Sequence, residues 1–124
     1  MKYFSVDDLE LIHMQIVDSS GGSHGTRERG RLEAAIATQT QAVFGEELYK
    51  TVFMKAAALC RGIIADHPFV DGNKRTGIMT ALIFLERNGV ATSVKDQDLE
   101  DFAVAVAVEH LSVVDIARWL ERNT

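Results

Sequence analysis

Two apolar segments lie on either side of a short polar stretch, and they limit what this chain can fold into. Upstream, apolar side chains recur every three or four residues at Leu48, Val52, Phe53, Ala56, Leu59, Ile63 and Ile64. Downstream, nearly every side of the segment is apolar, through Ile78, Met79, Ala81, Leu82, Ile83, Phe84 and Leu85. This spacing predicts two core helices, over Glu46 to about Ala65 and over Asn73 to Asn88. The polar loop between such helices is held rigidly, as catalytic groups need to be.

The rest of the chain also reads as helical. Ser5 and Asp8 form a capping-box pattern that opens a first helix, ending near Asp18, before a glycine-containing loop over 19–25. Three more helices are predicted: one carrying Leu32, Ala35 and Ile36 and ending before Gly45, one over Gln97 to Glu109, and one capped by Ser112 and ending near Arg122. At 124 residues the chain is expected to form one domain over 1–124, an all-α bundle of about six helices.

Composition excludes several classes of function. A net charge of −5 argues against nucleic-acid binding, which requires a basic face. Charges at Lys55, Arg61 and Glu86 interrupt the longest apolar runs, so no segment is expected to cross a membrane. The one cysteine, Cys60, rules out an internal disulfide and is interpreted as a small buried hydrophobe. The cytoplasm is the expected compartment.

The loop begins with an imidazole in an unusual position. Pro68 fixes its own φ angle and restricts the residue before it, so it should end the upstream helix and hold His67 in an extended conformation. The imidazole would then leave the helix axis and face a cleft, while Phe69 points down between the helices as an anchor. An unperturbed imidazole titrates near pH 6.5, so His67 could accept a proton from an attacking hydroxyl.

The second half of the loop suits a phosphate. Asn73, Lys74 and Arg75 open a helix, where free N–H groups and the helix dipole favour anions, and two of them add positive charge. Gly72 allows the backbone to approach a ligand closely. Asp71 would repel a bare phosphate, but it fits a Mg²⁺ ion that bridges carboxylate and phosphate oxygens. Together these groups predict a nucleotide-dependent transfer to a hydroxyl.

These residues closely resemble the signature of the Fic/Doc (Fido) family, H-x-F-x-[D/E]-G-N-[G/K]-R. Every fixed position matches, at His67, Phe69, Asp71, Gly72, Asn73, Lys74 and Arg75. Small size and the segments over 30–35 and 44–49 resemble the short death-on-curing (Doc) branch, the toxin half of toxin–antitoxin pairs. The resemblance implies an all-helical fold, His67 as the group that activates the target hydroxyl, Asp71 as the Mg²⁺ ligand, and Asn73 and Arg75 as phosphate contacts.

Two positions bear on the subtype within this family. Fic adenylyltransferases usually have glycine where Lys74 stands, and often a second arginine where this chain has Ile78. In the Doc branch, lysine goes with transfer of the terminal phosphate of ATP instead of AMP. The resemblance therefore implies a phosphotransferase that uses ATP and Mg²⁺, with Lys74 and Arg75 among its catalytic groups and elongation factor Tu as its target. AMP transfer and a non-catalytic nucleotide-binding module are the alternatives.

The resemblance also implies an antitoxin partner. Self-inhibited Fic proteins carry an [S/T]-x-x-x-E-[G/N] helix, and this chain has no such pattern. Inhibition is therefore expected to come from a separate antitoxin. Outside the loop, His13 and His110 are interpreted as solvated or structural residues. Arg27, Arg29 and Arg31 are interpreted as part of a solvated helix face.

Overall fold

Six α-helices make up most of the fold in the computed structural model, which describes residues 1–124. Their bounds are α1 Val6–Ser20, α2 Arg29–Ala37, α3 Val52–Asp66, α4 Asn73–Arg87, α5 Asp96–Glu109 and α6 Val113–Asn123. A single 3₁₀ turn, Thr38–Thr40, follows α2. Two short antiparallel strands, β1 Ala42–Val43 and β2 Glu46–Glu47, form a hairpin before α3. The prediction of a bundle of about six helices is confirmed, and the hairpin is its one β element.

The predicted caps explain where the outer helices begin. The Ser5 hydroxyl accepts from the N–H of Asp8 at 3.2 Å, and the Asp8 carboxylate accepts from the N–H of Ser5 at 2.8 Å. At α6 the Ser112 hydroxyl accepts from the N–H of Asp115 at 3.1 Å. Each bond satisfies an N–H group that the first turn of a helix leaves without a partner. The first helix continues two residues past its predicted end, to Ser20.

The predicted start of the first core helix is wrong. Glu46 lies in the hairpin, and α3 begins only at Val52, with the Thr51 hydroxyl accepting from the N–H of Met54 at 3.1 Å. Phe44 and Gly45 occupy the two turn positions of the hairpin with φ angles of 51° and 79°. Positive φ at both positions gives the tight turn that suits the twist of paired strands.

A buried lysine fastens this hairpin to the core. Lys55 is 1% exposed, and its ammonium group donates to the backbone carbonyl of Gln39 and, at 3.0 Å, to the carboxylate of Glu47. The ammonium also lies 5.5 Å from the ring centroid of Tyr3. A charge is tolerated at such a buried position because it is paired and hydrogen-bonded. The non-local contacts of Lys55 therefore favour a hairpin in a segment whose local pattern predicts a helix.

Helix α3 lies at the centre of the core and packs against α2, α4 and α6. Most of its length is buried, at Lys55, Ala56, Ala57, Ala58, Leu59, Cys60, Ile63 and Ile64. Burial raises the pKa of the Cys60 thiol to about 12, so this group stays protonated and unreactive near neutral pH, as its interpretation as a buried hydrophobe requires. None of the helices combines the length and the apolar character needed to cross a membrane.

Helices α3 and α4 pack closely at Gly77. A Cβ atom at this position would lie 2.6 Å from Cγ1 of Ile64 and 3.1 Å from the carbonyl oxygen of Cys60. These distances leave no room for a methyl group unless one helix moves. The two core helices are therefore held together at a point one turn beyond the polar loop.

We expect Gly77→Ala to lower the free energy of unfolding by about 1–3 kcal/mol, because the added methyl group overpacks the contact between α3 and α4. The matched control is Gly30→Ala on α2, where a Cβ atom would meet nothing within 4 Å. The control should leave the free energy of unfolding unchanged or raise it by up to about 1 kcal/mol, since alanine restricts the unfolded chain. Urea unfolding curves measure both variants, and equal effects would contradict the close packing at Gly77.

Candidate active site

His67 ends α3 in the left-handed region, with φ 50° and ψ 58°. Its N–H donates to the carbonyl of Ile63 at 3.2 Å, so it closes the last turn of the helix. The prediction of an extended His67 is therefore wrong. Proline disfavours the right-handed helical conformation in the residue before it, and the chain leaves α3 through a left-handed cap. The helix still ends where predicted, and the His67 side chain is exposed.

The polar loop pairs with the segment that connects α1 to α2. Thr26 and Phe69 form an antiparallel bridge. On either side of it, the N–H of Val70 donates to the carbonyl of Gly25 at 3.0 Å, and the N–H of Arg27 donates to that of Pro68 at 2.7 Å. The loop therefore has backbone partners along its length, which fixes its path before any ligand binds.

Two arginines, Arg27 on this connecting segment and Arg31 on α2, also bind the end of α3. The guanidinium of Arg27 donates to the carbonyl of His67 at 2.9 Å, and that of Arg31 donates to the carbonyl of Asp66 at 2.6 Å. The last carbonyls of a helix lack partners within it, so these bonds cap α3. The interpretation of both residues as part of a solvated helix face missed this role, because their partners lie 40 and 35 residues away in the sequence.

Asn73 uses its side chain to hold the loop. Its Oδ1 accepts from the N–H of Phe69 at 3.0 Å, and its Nδ2 donates to the carbonyl of Phe69 at 3.0 Å. Asn73 is 8% exposed and Phe69 is 1% exposed, so the predicted anchoring role of Phe69 is present. Because the side-chain amide of Asn73 is engaged, the phosphate contact that the resemblance implies would come from its backbone N–H, at the first position of α4.

The carboxylate of Asp71 is exposed and accepts two backbone hydrogen bonds. Oδ1 accepts from the N–H of Gly72 at 2.9 Å, and Oδ2 accepts from the N–H of Ser23 at 3.2 Å. A Cβ atom on Gly22 would lie 2.7 Å from Oδ2, so only glycine lets the connecting segment come this close. Each carboxylate oxygen keeps a further lone pair for another partner.

Lys74 and Arg75 line a cavity of about 470 Å³ at the start of α4, a size in the usual range for small-molecule sites. Neither side chain forms an ion pair with a carboxylate. The other walls are partly apolar and partly polar, with Ile16, Ser19, Ser20, Ile78, Met79, Asp96, Leu99, Glu100, Ala103 and Val104. Two unpaired cations and the free N–H groups of a helix start can hold an anion at one end of this cavity.

His67 lines a different and smaller cavity, of about 110 Å³, between the ends of α3 and α5. Arg61 and His110 share its lining, together with apolar side chains of both helices. The predicted proton acceptor, His67, and the predicted anion-binding cations, Lys74 and Arg75, thus line different cavities. They stand at the two ends of the loop, His67 at the end of α3 and the cations at the start of α4.

His13 contacts the polar loop from α1, and the interpretation of this histidine as solvated or structural did not specify that contact. It is buried on α1, and its Nε2 lies 2.7 Å from the backbone oxygen of Asp71. Its ring stacks on Phe69, with centroids 3.9 Å apart and planes inclined by 3°. His13 follows Leu9 and precedes Val17 by four residues each, so helical spacing was a signal that could have placed it on the buried face of α1.

Comparison with known proteins agrees with this arrangement. The sequence model of the Fic/DOC family matches residues 3–85, which include the whole loop, all of α3 and most of α4. The chain is 34% identical over 122 residues to the protein kinase doc of Escherichia phage P1, covering 98% of this chain and 95% of that protein. It is 38% identical over 103 residues to the toxin Doc of Mycolicibacterium smegmatis, covering 81% of this chain and 78% of that protein. The chain belongs to the Fic/DOC family.

Proposed function

We propose that this protein is a toxin that transfers the terminal phosphate of ATP to a hydroxyl group of a target protein. The observation that carries the proposal is the position of Lys74. It stands beside Arg75 on the wall of the 470 Å³ cavity, where a glycine would leave the backbone bare. The relationship to a protein named as a kinase, over 98% of this chain, supports the same reaction.

In the proposed reaction the residues at the two ends of the loop have separate roles. His67 accepts the proton of the attacking hydroxyl. The hydroxyl oxygen bonds to the terminal phosphorus of ATP, the bond from that phosphorus to its bridging oxygen breaks, and ADP leaves. Lys74, Arg75 and the N–H group of Asn73 bind the phosphates and stabilise the transferring group, and Gly72 leaves room for the backbone to approach them.

Asp71 fits the role of a Mg²⁺ ligand in this reaction. Mg²⁺ is commonly held by one or two carboxylates together with substrate phosphates and water, and Asp71 supplies an exposed carboxylate beside the start of α4. No group of three or more acidic, histidine or cysteine side chains surrounds it, so phosphate and water would supply the remaining ligands. When bound, Mg²⁺ neutralises phosphate charge.

The relationship to Doc toxins supports a proposal for the target and for the inhibitor. We propose elongation factor Tu as the target, so that phosphorylation blocks translation in the cytoplasm. We also propose a cognate antitoxin that inhibits in trans, since the chain lacks the inhibitory helix pattern of self-inhibited Fic proteins. An amphipathic helix that lies in a groove of the toxin would suit this inhibition.

We expect His67→Ala to lower phosphate transfer by about 10²–10⁴-fold while the fold is retained, because a general base contributes that much and the side chain is exposed. The control is His24→Ala, which removes an exposed histidine paired with Asp18 at 2.8 Å. Transfer from γ-labelled ATP and melting curves measure both variants. Near-normal transfer by folded His67→Ala would remove His67 from the mechanism.

The reaction type depends on Lys74. Lys74→Gly should lose transfer from γ-labelled ATP and gain weak transfer from α-labelled ATP, because glycine removes a cation and opens room for a second phosphate. Lys95→Gly is the matched control, since Lys95 stands at the start of α5 and lines neither cavity. Unchanged γ-phosphate transfer by Lys74→Gly would contradict the role of Lys74. Label from the α position in wild type would favour AMP transfer.

Expression of the wild-type chain alone should arrest bacterial growth, because phosphorylated elongation factor Tu no longer supports translation. Co-expression of a small antitoxin encoded beside it should restore growth, and His67→Ala should be harmless from the start. Mass spectrometry of elongation factor Tu from arrested cells measures the added phosphate. Normal growth with folded wild-type protein, in a host that contains the factor, would count against the toxin proposal.

A further inference from the structure

His13 makes one hydrogen bond to the polar loop, at a backbone oxygen. Its Nε2 lies 2.7 Å from the carbonyl of Asp71, and the residue is 3% exposed. A carbonyl oxygen can only accept a hydrogen bond, so Nε2 must carry the hydrogen. The contact joins residues 58 positions apart and links α1, which contributes no residue to the family signature, directly to the loop.

The planar peptide carries this contact through to the carboxylate. In a trans peptide the C=O and the N–H point in opposite directions, so fixing the carbonyl of Asp71 also fixes the N–H of Gly72. That N–H donates to Oδ1 of Asp71 at 2.9 Å. The bond from His13 therefore sets the direction of a donor that orients the exposed carboxylate.

Stacking fixes the imidazole itself. The ring of His13 lies parallel to that of Phe69, 3.9 Å away between centroids, and the backbone of Phe69 is held by the Asn73 amide. The imidazole thus cannot turn away from the carbonyl without losing its contact with the loop anchor. The Nε2–H donor of His13 is therefore held in place by Phe69, a residue of the same loop that His13 orients.

We propose that His13 is a positioning residue, which orients the Asp71–Gly72 peptide and through it the carboxylate that would hold Mg²⁺. The kinetic part of this proposal rests on the phosphotransferase function proposed above, whereas the hydrogen bond to the loop does not. A residue that orients a metal ligand typically changes metal affinity or activity by about 10–100-fold when removed.

The first test needs no substrate. Nitrogen-15 NMR of the wild-type imidazole should show the hydrogen of His13 on Nε2. His13→Phe keeps an aromatic ring against Phe69 but loses the donor, so the Gly72 amide should exchange its hydrogen faster than in wild type. His13→Gln places an amide donor at a similar reach and should restore part of the protection. Ile12→Val, on the same buried face of α1, is the control for general destabilisation.

The second test measures the Mg²⁺ concentration that gives half-maximal transfer from γ-labelled ATP. His13→Phe should raise this concentration by about 10–100-fold, His13→Gln should raise it less, and Ile12→Val should leave it unchanged. Loss of folded protein alone lowers the total rate but does not shift the Mg²⁺ dependence. The midpoint therefore separates positioning from a merely structural role.

A hydrogen on Nδ1 with Nε2 bare would overturn the proposal. So would a His13→Phe variant whose Gly72 exchange and Mg²⁺ midpoint stay within about twofold of wild type. If His13→Phe does not fold, the wild-type imidazole and His13→Gln decide between the two results. If the wild type transfers no phosphate, the proposed function fails, and the NMR measurements still decide whether His13 holds the loop.

Discussion

The side chain of Phe69 lies buried under the polar loop, stacked on His13, while its backbone N–H and carbonyl both bind the Asn73 amide. The same residue forms the bridge to Thr26. Three parts of the chain, namely α1, the connecting segment before α2 and the start of α4, thus converge on one position. Because a buried aromatic ring in close contact on several sides has few alternative positions, the loop around it has a defined path.

The fold was largely readable from local sequence. Apolar spacing and the side-chain caps at Ser5 and Ser112 involve residues within one or two turns of each other, and they located most helix ends to within a few residues. The second helix was predicted to end just before Gly45, but it ends at Ala37. The start of α3 was misplaced because the hairpin before it depends on Lys55, which reaches back to Gln39 and Glu47. Local periodicity carries no information about a contact of that kind.

The candidate site likewise combines features that the local sequence indicates with features that depend on distant contacts. The signature indicates candidate residues for the chemistry, but the sequence could not say how they are held. The arginine bonds to the end of α3 and the bond from His13 to Asp71 join segments that are distant in the sequence. The left-handed cap at His67 is local, but there the extended conformation favoured before Pro68 competes with the closing turn of the helix. Helical spacing could have placed His13 on a buried face, but only the packed structure shows what it contacts.

The engaged amide of Asn73 has a consequence for interpreting related sequences with incomplete signatures. A relative that lacks the histidine equivalent to His67 would keep the architecture of the loop, because that side chain is exposed and holds nothing in place. A relative that lacks the asparagine would lose both bonds to the anchor and leave two backbone groups without partners. Under the role proposed for His67, the first kind of relative would be a pseudoenzyme that retains a formed ligand site, whereas in the second kind the site itself would be lost.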